Sequence, residues 1–294
     1  MVALRDEEAT SRFGPIVIAS AGGLPNMARV SGHITVKTPG EVDAMRAVCK
    51  LAAKTLKLAG ELVKPGVSTE EINEFVHTYT LEAGAVPAPL HYGADPRNGI
   101  PPFPKSVCTS INDVICHGIP SRDDVLKDGD IVNIDVTSIL DGFHGDTSAT
   151  FFVGTPTPEI EKLVQITKEA MHVGIRTVKP GSRVRDIGGA IEDFAGKLGY
   201  GIVESYVGHG LGRRFHEPPQ IPHVRTRGPN PRFRAGMTFT VEPMINLGTA
   251  EPILDPQDGW TVRTADGSIS AQFEHTVLVT DDGHDILTDW AKIS

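Results

Sequence analysis

The tetrapeptide Val-Lys-Pro-Gly occurs twice in this chain, at Val63–Gly66 and at Val178–Gly181, and the register between the copies persists downstream. The same offset aligns Ile72 with Ile187 and Gly84 with Gly199. Chance supplies one tetrapeptide match but seldom keeps its register, so the repeat marks two equivalent halves of one folding unit. Each half reads as a helix, a VKPG turn and a second helix ending at glycine.

Local signals agree with that division. Thr38-Pro39-Gly40-Glu41 offers an N-cap, a proline in the first helical turn and a capping-box acid, and Val42, Met45, Val48, Leu51 and Leu56 follow at helical spacing. A second helix is predicted from Ser68, with Glu71 as its box partner, through Ile72 and Phe75 toward Gly84. Two more are predicted after Thr157-Pro158 and near Val184. Residues 1–33 hold no sustained period and contain Gly14-Pro15, Gly22-Gly23 and Pro25, which reads as a flexible extension ahead of a single domain at 34–294.

A strand-rich region follows each helical pair, GDIVNIDVT at 129–137 and GMTFTVEPM at 236–244. Asp135 and Glu242 each stand six positions after the leading glycine and so occupy equivalent places. A further strand in each half is led by an acid, TSATFFV after Asp146 and HTVLV after Glu274. The expected sheet brings two carboxylates of one half toward two of the other.

Acids inside apolar, β-branched strands demand compensation, because Asp is depleted in strands and a buried unpaired carboxylate is costly. Each like-charge pair at about 4 Å costs roughly 4 kcal/mol at an effective dielectric near 20. Two divalent cations would balance four carboxylates, and bridging groups would hold the metals about 3.5–4 Å apart. His209, in VGHGLG, is the nitrogen donor to add, since its flanking glycines would let a turn present the imidazole unobstructed. One nitrogen among many oxygens favours Mn, Fe, Co or Zn over Mg or Ca.

The bulk properties exclude other classes. A net charge of -9, with only short clusters such as Arg213-Arg214, argues against nucleic-acid binding. Three cysteines, Cys49, Cys108 and Cys116, form neither a disulfide framework nor a CxxC metal motif, so a reducing compartment, the cytoplasm, is expected. The apolar run Phe13–Leu24 is too short and too rich in Gly and Pro to span a membrane. No Cys-His-Asn set accompanies Cys108 or Cys116 to make either a catalytic thiol. His144 and His275 flank candidate acids, but strand neighbours point to opposite faces, so both are read as structural. His91, His172, His223 and His284 have no evident partner.

NIDVTSILDGFHGDTSATF, VGHGLGRRFHEPPQ, GMTFTVEPMI and SAQFEHTVLVT together resemble the type I methionine aminopeptidases, and the similarity runs from about Val36 to the C-terminus. The resemblance implies an α+β pita-bread fold, an antiparallel sheet core flanked by helices with a pseudo-twofold internal repeat. It implies removal of N-terminal methionine from nascent polypeptides, favouring small second residues. Asp135 would chelate one metal, His209 and Glu242 the other, with Asp146 and Glu274 bridging and a metal-activated water as nucleophile. Glu242 would also exchange protons, His117 would contact the scissile amide nitrogen, and His216 would donate toward the carbonyl oxygen.

Tyr92, Phe103, Cys108, Phe215, Met244 and Trp260 match the methionine pocket, with His117 at its rim and His216 beside it. Asn112, Val114 and Ser270 match the positions that hold a monovalent cation in some members. The stretch GADPRNGIPP after Tyr92 is longer than the family's link and reads as an extra surface loop beside the pocket. Some longer members dock on the ribosome through Pro-rich or zinc-binding extensions. Residues 1–33 carry no PxxP and no Cys or His pair, so the arm is assigned no partner, and a monomer is the default.

Three rivals are weighed. Prolidases and aminopeptidase P share the fold and ligand set but carry a large N-terminal domain, and type II methionine aminopeptidases carry a helical insertion between the positions of His209 and Glu242. Nonenzymatic pita-bread modules have lost ligands, whereas all five stand here.

Overall fold

The computed structural model describes residues 32–96 and 99–293, so the extension expected over 1–33 lies outside the described residues except for its last two. Helix α1 (Pro39–Gly60) opens on a capping box in which Thr38 and Glu41 satisfy one another's backbone donors, and α2 (Thr69–Glu82) repeats the device with Ser68 and Glu71. The second half supplies α3 (Pro158–Ile175), capped by Thr157, and α4 (Val184–Ala195). All four helices fall where the capping signals and the repeat put them.

The strands are short except for one central hairpin. In chain order they are β1 (Val86–Pro87), β2 (Cys108–Ile111), β3 (Val114–Cys116), β4 (Ile131–Leu140) and β5 (Phe143–Phe152) in the first half. The second half holds β6 (Gly201–Ile202), β7 (Gly208–Gly210), β8 (Glu217–Ile221), β9 (Thr238–Val241), β10 (Met244–Asn246) and β11 (Pro252–Leu254). It continues with β12 (Val262–Thr264), β13 (Ser270–Gln272), β14 (Glu274–Val279) and β15 (His284–Ile286). The main sheet runs β1-β4-β5-β14-β9-β7-β8, with β2 also on β4 and β15 also on β14. All of its pairings are antiparallel.

That order carries the pseudo-twofold. An axis between β5 and β14 exchanges β4 with β9, and therefore Asp135 with Glu242 and Asp146 with Glu274. The backbone repeats as well. Gly66 and Gly181 of the VKPG turns have φ of 91° and 87°, and the strand-leading Gly129 and Gly236 have 94° and 85°. Such values are open to glycine and strained for other residues, which explains why these four positions are glycine in both copies.

Alternation along the strands sorts the sheet's two faces. Val132, Ile134 and Val136 of β4 and Val277 and Val279 of β14 join a cluster with Ala52, Leu56 and Ile72 from the first helical pair and Leu163, Met171 and Ile187 from the second. Helix α1 buries Met45, Val48, Cys49, Ala52, Ala53, Leu56 and Ala59, a stripe in which alanines take the place expected for Leu51. The small residues permit close approach. A Cβ on Gly145 would lie 2.7 Å from the backbone of Val48 and Cys49. The carboxylates project from the strands between these apolar positions and so face away from the helical core.

Candidate metal centre

Register alone assembles most of the site. Asp135 on β4 lies opposite Ser148 on β5, and Ser148 lies opposite Glu274 on β14. Directly opposed residues share a face, so Asp135 and Glu274 point the same way, joined by Asp146 two residues along from Ser148. On the other edge of β14, His275 pairs with Val241, the last residue of β9. One step further sets Glu242 beside Glu274. Glu242 therefore stands just beyond its strand rather than within it, freed from the ladder to turn inward.

His209 enters from β7, whose Gly210 pairs with Phe239 and whose His209 N–H donates to Thr240 Oγ1 at 3.0 Å. The expected turn is not there: Gly208–His209–Gly210 is strand. Its glycines serve close approach instead, since a Cβ on Gly208 would meet the Thr240 carbonyl at 2.4 Å and one on Gly210 the Pro218 carbonyl at 2.3 Å. The imidazole thus presses onto β9. Asp146, His209 and Glu274 each offer a ligand atom within 4.8 Å of the others, and all three are buried. Glu242 Oε1 reaches within 3.7 Å of His209 Nε2.

The buried carboxylates must be neutralised, by protons or by a bound cation. Burial pushes Asp146 up to about 7, and burial together with neighbouring carboxylates raises Asp135, Glu242 and Glu274 well above the usual range. Threonines oppose this in part, Thr137 donating to Asp146 at 2.7 Å and Thr240 to Glu242 at 2.6 Å. Among the described residues no Lys or Arg forms an ion pair with any of the four. Burial lowers His209 to about 4, so its ring is neutral. Its Nδ1 faces the Gly210 carbonyl at 3.1 Å and must carry the proton, which leaves a bare Nε2 lone pair 3.6 Å from Asp146 Oδ2. Lone pairs facing lone pairs, with Asp135 Oδ1 buried and without a hydrogen-bond partner, fit a bound metal.

Aromatic side chains stand beside this cluster. The His216 and His209 rings lie 4.1 Å apart, and Phe215 stacks on His216 at 4.4 Å. Tyr92 leans on Phe215 at 4.9 Å and places its hydroxyl 2.6 Å from His216 Nδ1. His117 occupies the left-handed region, φ 57°, with Tyr206 and Trp260 edge-on to its ring. Burial lowers His117 to about 4, and burial with neighbouring histidines holds His216 well below the usual imidazole range, so both rings are neutral. Phe103, Cys108 and Trp260 pack with Ile100 in one apolar cluster that Tyr92 and Ile119 complete.

The sequence profile of metallopeptidase family M24 matches residues 43–281. The chain belongs to that family. Methionine aminopeptidase A of Synechocystis is 52% identical over 255 residues, covering 87% of this chain and 97% of the cyanobacterial one. The crystal structure of methionine aminopeptidase from Rickettsia prowazekii superposes with a TM-score of 0.82 at 49% identity, covering 87% of this chain and 100% of that one. Prolidase from Pyrococcus furiosus shares the fold at a TM-score of 0.68 and 21% identity, and the chain spans 66% of it.

The M24 chain is therefore a type I methionine aminopeptidase in a pita-bread fold, a hydrolase that removes N-terminal methionine and uses divalent metal. No helix of its described residues is long and apolar enough to cross a membrane. The geometry also revises particular readings of the sequence. His144 lies two residues from Asp146, not next to it, so it shares that face and stacks on Phe215 at 5.7 Å. His275 follows the alternation argument, bonding Thr288 and packing against His172.

Met244 is packed with Ile115, Cys116 and Val203 in a neighbouring cluster, apart from Phe103 and Trp260. His223, which had no evident partner, is buried and accepts the Glu242 N–H at Nε2, 3.1 Å. Asn112 and Ser270 meet through a 2.9 Å backbone bond, with Val114 beginning the next strand. Tyr206, Ile100 and Ile119 were not singled out by sequence reasoning, and His223 was seen without its partner. Each is a single residue without a motif, brought in by contacts distant in sequence.

Proposed function

We propose that this enzyme excises methionine with Asp135, Asp146, His209, Glu242 and Glu274 as ligands of two divalent cations drawn from Mn, Fe, Co and Zn. What carries the reading is the convergence of four carboxylates and one neutral imidazole beside an aromatic cleft, with charge that two such cations would balance. When bound, the ions supply Lewis-acid activation of water and of the scissile carbonyl. The chain's own groups do the rest. Phe103, Cys108, Trp260, Tyr92 and Phe215 line a pocket for the thioether, which packs well on aromatic edges. Met244 is assigned to the same pocket on the family resemblance alone. His216 donates to the substrate carbonyl oxygen as it gains charge, His117 contacts the amide nitrogen, and Glu242 relays protons between water and the departing amine.

Residues 34–294 act as one catalytic domain, monomeric and cytoplasmic. Three buried free cysteines support a reducing compartment. Acting on nascent chains, the enzyme works beside the ribosome. Asn112, Val114 and Ser270 hold a monovalent cation. The preference for Gly, Ala or Ser at the second position rests on family membership.

Incubation with Met-Ala-Ser, Met-Leu-Ser and an Xaa-Pro peptide in Mn or Co tests the reading. Rapid release of methionine from Met-Ala-Ser alone supports it, and cleavage only of the Xaa-Pro peptide overturns it. Glu242→Ala is expected to abolish turnover. An active variant removes its assigned role.

A further inference from the structure

The extra loop after Tyr92 closes upon itself. Asp95 and Ile100 exchange backbone hydrogen bonds at 2.9 and 3.0 Å, the Phe103 N–H donates to the Tyr92 carbonyl, and the His91 N–H donates to the Phe103 carbonyl. This small hairpin returns the chain to where it left, so that Tyr92 and Phe103 stay side by side. Its base is pressed against the pocket wall. Gly93, at φ 73°, leaves no room for a Cβ, which would lie 2.4 Å from the Trp260 ring, and the indole N–H donates to the Pro101 carbonyl at 2.9 Å. The backbone of Tyr92 is thereby fixed from two sides.

Among the described residues, the hydroxyl of the fixed Tyr92 has one hydrogen-bond partner, His216 Nδ1 at 2.6 Å. A neutral imidazole carries one proton, and the partner of one nitrogen decides which nitrogen holds it. A phenol is a donor at neutral pH and rotates its proton freely toward an acceptor. If His216 Nδ1 carried the hydrogen instead, the buried Tyr92 O–H would give up the acceptor it has here, and an unmade buried hydrogen bond is costly. The tyrosine proton therefore points at Nδ1, and the His216 proton sits on Nε2.

We propose that Tyr92 is a positioning residue that fixes His216 in its Nε2–H tautomer, so that the ring meets the substrate carbonyl as a donor. The inference rests on the reading of His216 as that donor and adds the group which makes it one. The base of the hairpin, residues 93–96 and 99–102, then has a role of its own. It clamps the tyrosine whose hydroxyl sets the tautomer.

Histidine-15N labelling of the full chain, metal-free, with His216 assigned by its loss in His216→Gln, reads the tautomer directly from the two ring-nitrogen shifts. Wild type is expected to show an acceptor-type Nδ1 and a protonated Nε2, and Tyr92→Phe a mixture of both forms. In steady-state assays with Met-Ala-Ser, Tyr92→Phe keeps the ring against Phe215, so KM stays within about twofold while kcat falls about tenfold, the value of one hydrogen bond. Tyr92→Ala, which also removes packing, raises KM as well. A protonated Nδ1 in wild type overturns the proposal, as does an unchanged tautomer or unchanged kcat in Tyr92→Phe. Should wild type fail to release methionine, the functional reading falls, while the nitrogen shifts still decide the tautomer.

Discussion

Replacing Asp146 by Asn is expected to stabilise the metal-stripped protein and to destabilise the metal-loaded one. Asp146 sits among Asp135, Glu242 and Glu274, and burial lifts it from 3.8 to about 7. A folded-state value above the unfolded one favours the protonated form. Its contribution to stability is fully present below about pH 4 and is lost as pH rises toward 7, after which the deficit is constant. Three units correspond to about 4 kcal/mol at about 1.4 kcal/mol per unit. Asn escapes this loss, and its carbonyl oxygen can still accept the Thr137 hydroxyl that bonds Asp146 at 2.7 Å.

The measurement is urea unfolding of both proteins in chelator from pH 5 to pH 8. The advantage of Asn should grow by about 1.4 kcal/mol per pH unit and level off near 4 kcal/mol above pH 7. His117 and His209, lowered to about 4, and His223, lowered to about 3, bias stability the other way below pH 6.5, but they are common to both proteins and cancel in the difference. Mn at about a ten-thousandfold excess over Kd should then invert the order, since wild type gains about 5.5 kcal/mol there while the variant lacks a ligand. A difference that does not change with pH, or an Asn variant less stable than wild type in chelator at pH 8, would refute the convergence of the carboxylates.

Lys37, buried where the chain enters the fold, donates to the equally buried Glu217 at 3.1 Å, and Glu217 follows His216 directly. Lys37→Met should cost about 3–5 kcal/mol in chemical denaturation by leaving a buried charge unpaired, and adding Glu217→Leu should recover most of it; equal stability of the single and double variants argues against the pair. His223→Leu removes the acceptor of the Glu242 N–H, and titration calorimetry with Mn should show affinity weakened about 10–100-fold. An unchanged affinity would make His223 a packing residue only.

The helices and the halves could be read in advance because their determinants are local. Thr38 with Glu41 and Ser68 with Glu71 close boxes within a single turn, and the VKPG glycines report backbone angles that no distant contact has to supply. The equivalence of Asp135 with Glu242 was legible for the same reason, as a count of six from a glycine. Sequence reasoning slipped at His209, where a turn was expected and the outcome depends on which strands lie alongside; the face of His144, two residues from Asp146 in one strand, was legible from spacing alone. The Gly208 and Gly210 contacts come from Thr240 and Pro218, and nothing near His209 in the chain announces them.

What the sequence determined by itself was a kit of parts: four acids in or beside strand signals and a histidine between glycines, in an order matching a family of metal-dependent peptidases. Tertiary structure decided how those parts act on one another. Antiparallel register across β4, β5, β14 and β9 put Asp135, Glu274 and Glu242 in one row. Long-range packing brought Tyr92 to His216 and His223 to Glu242, across 124 and 19 residues of chain. The physical reason is range. Capping and turn preferences are settled within a few residues, whereas a hydrogen bond between distant side chains exists only once the intervening chain has been folded back, and so leaves no local mark.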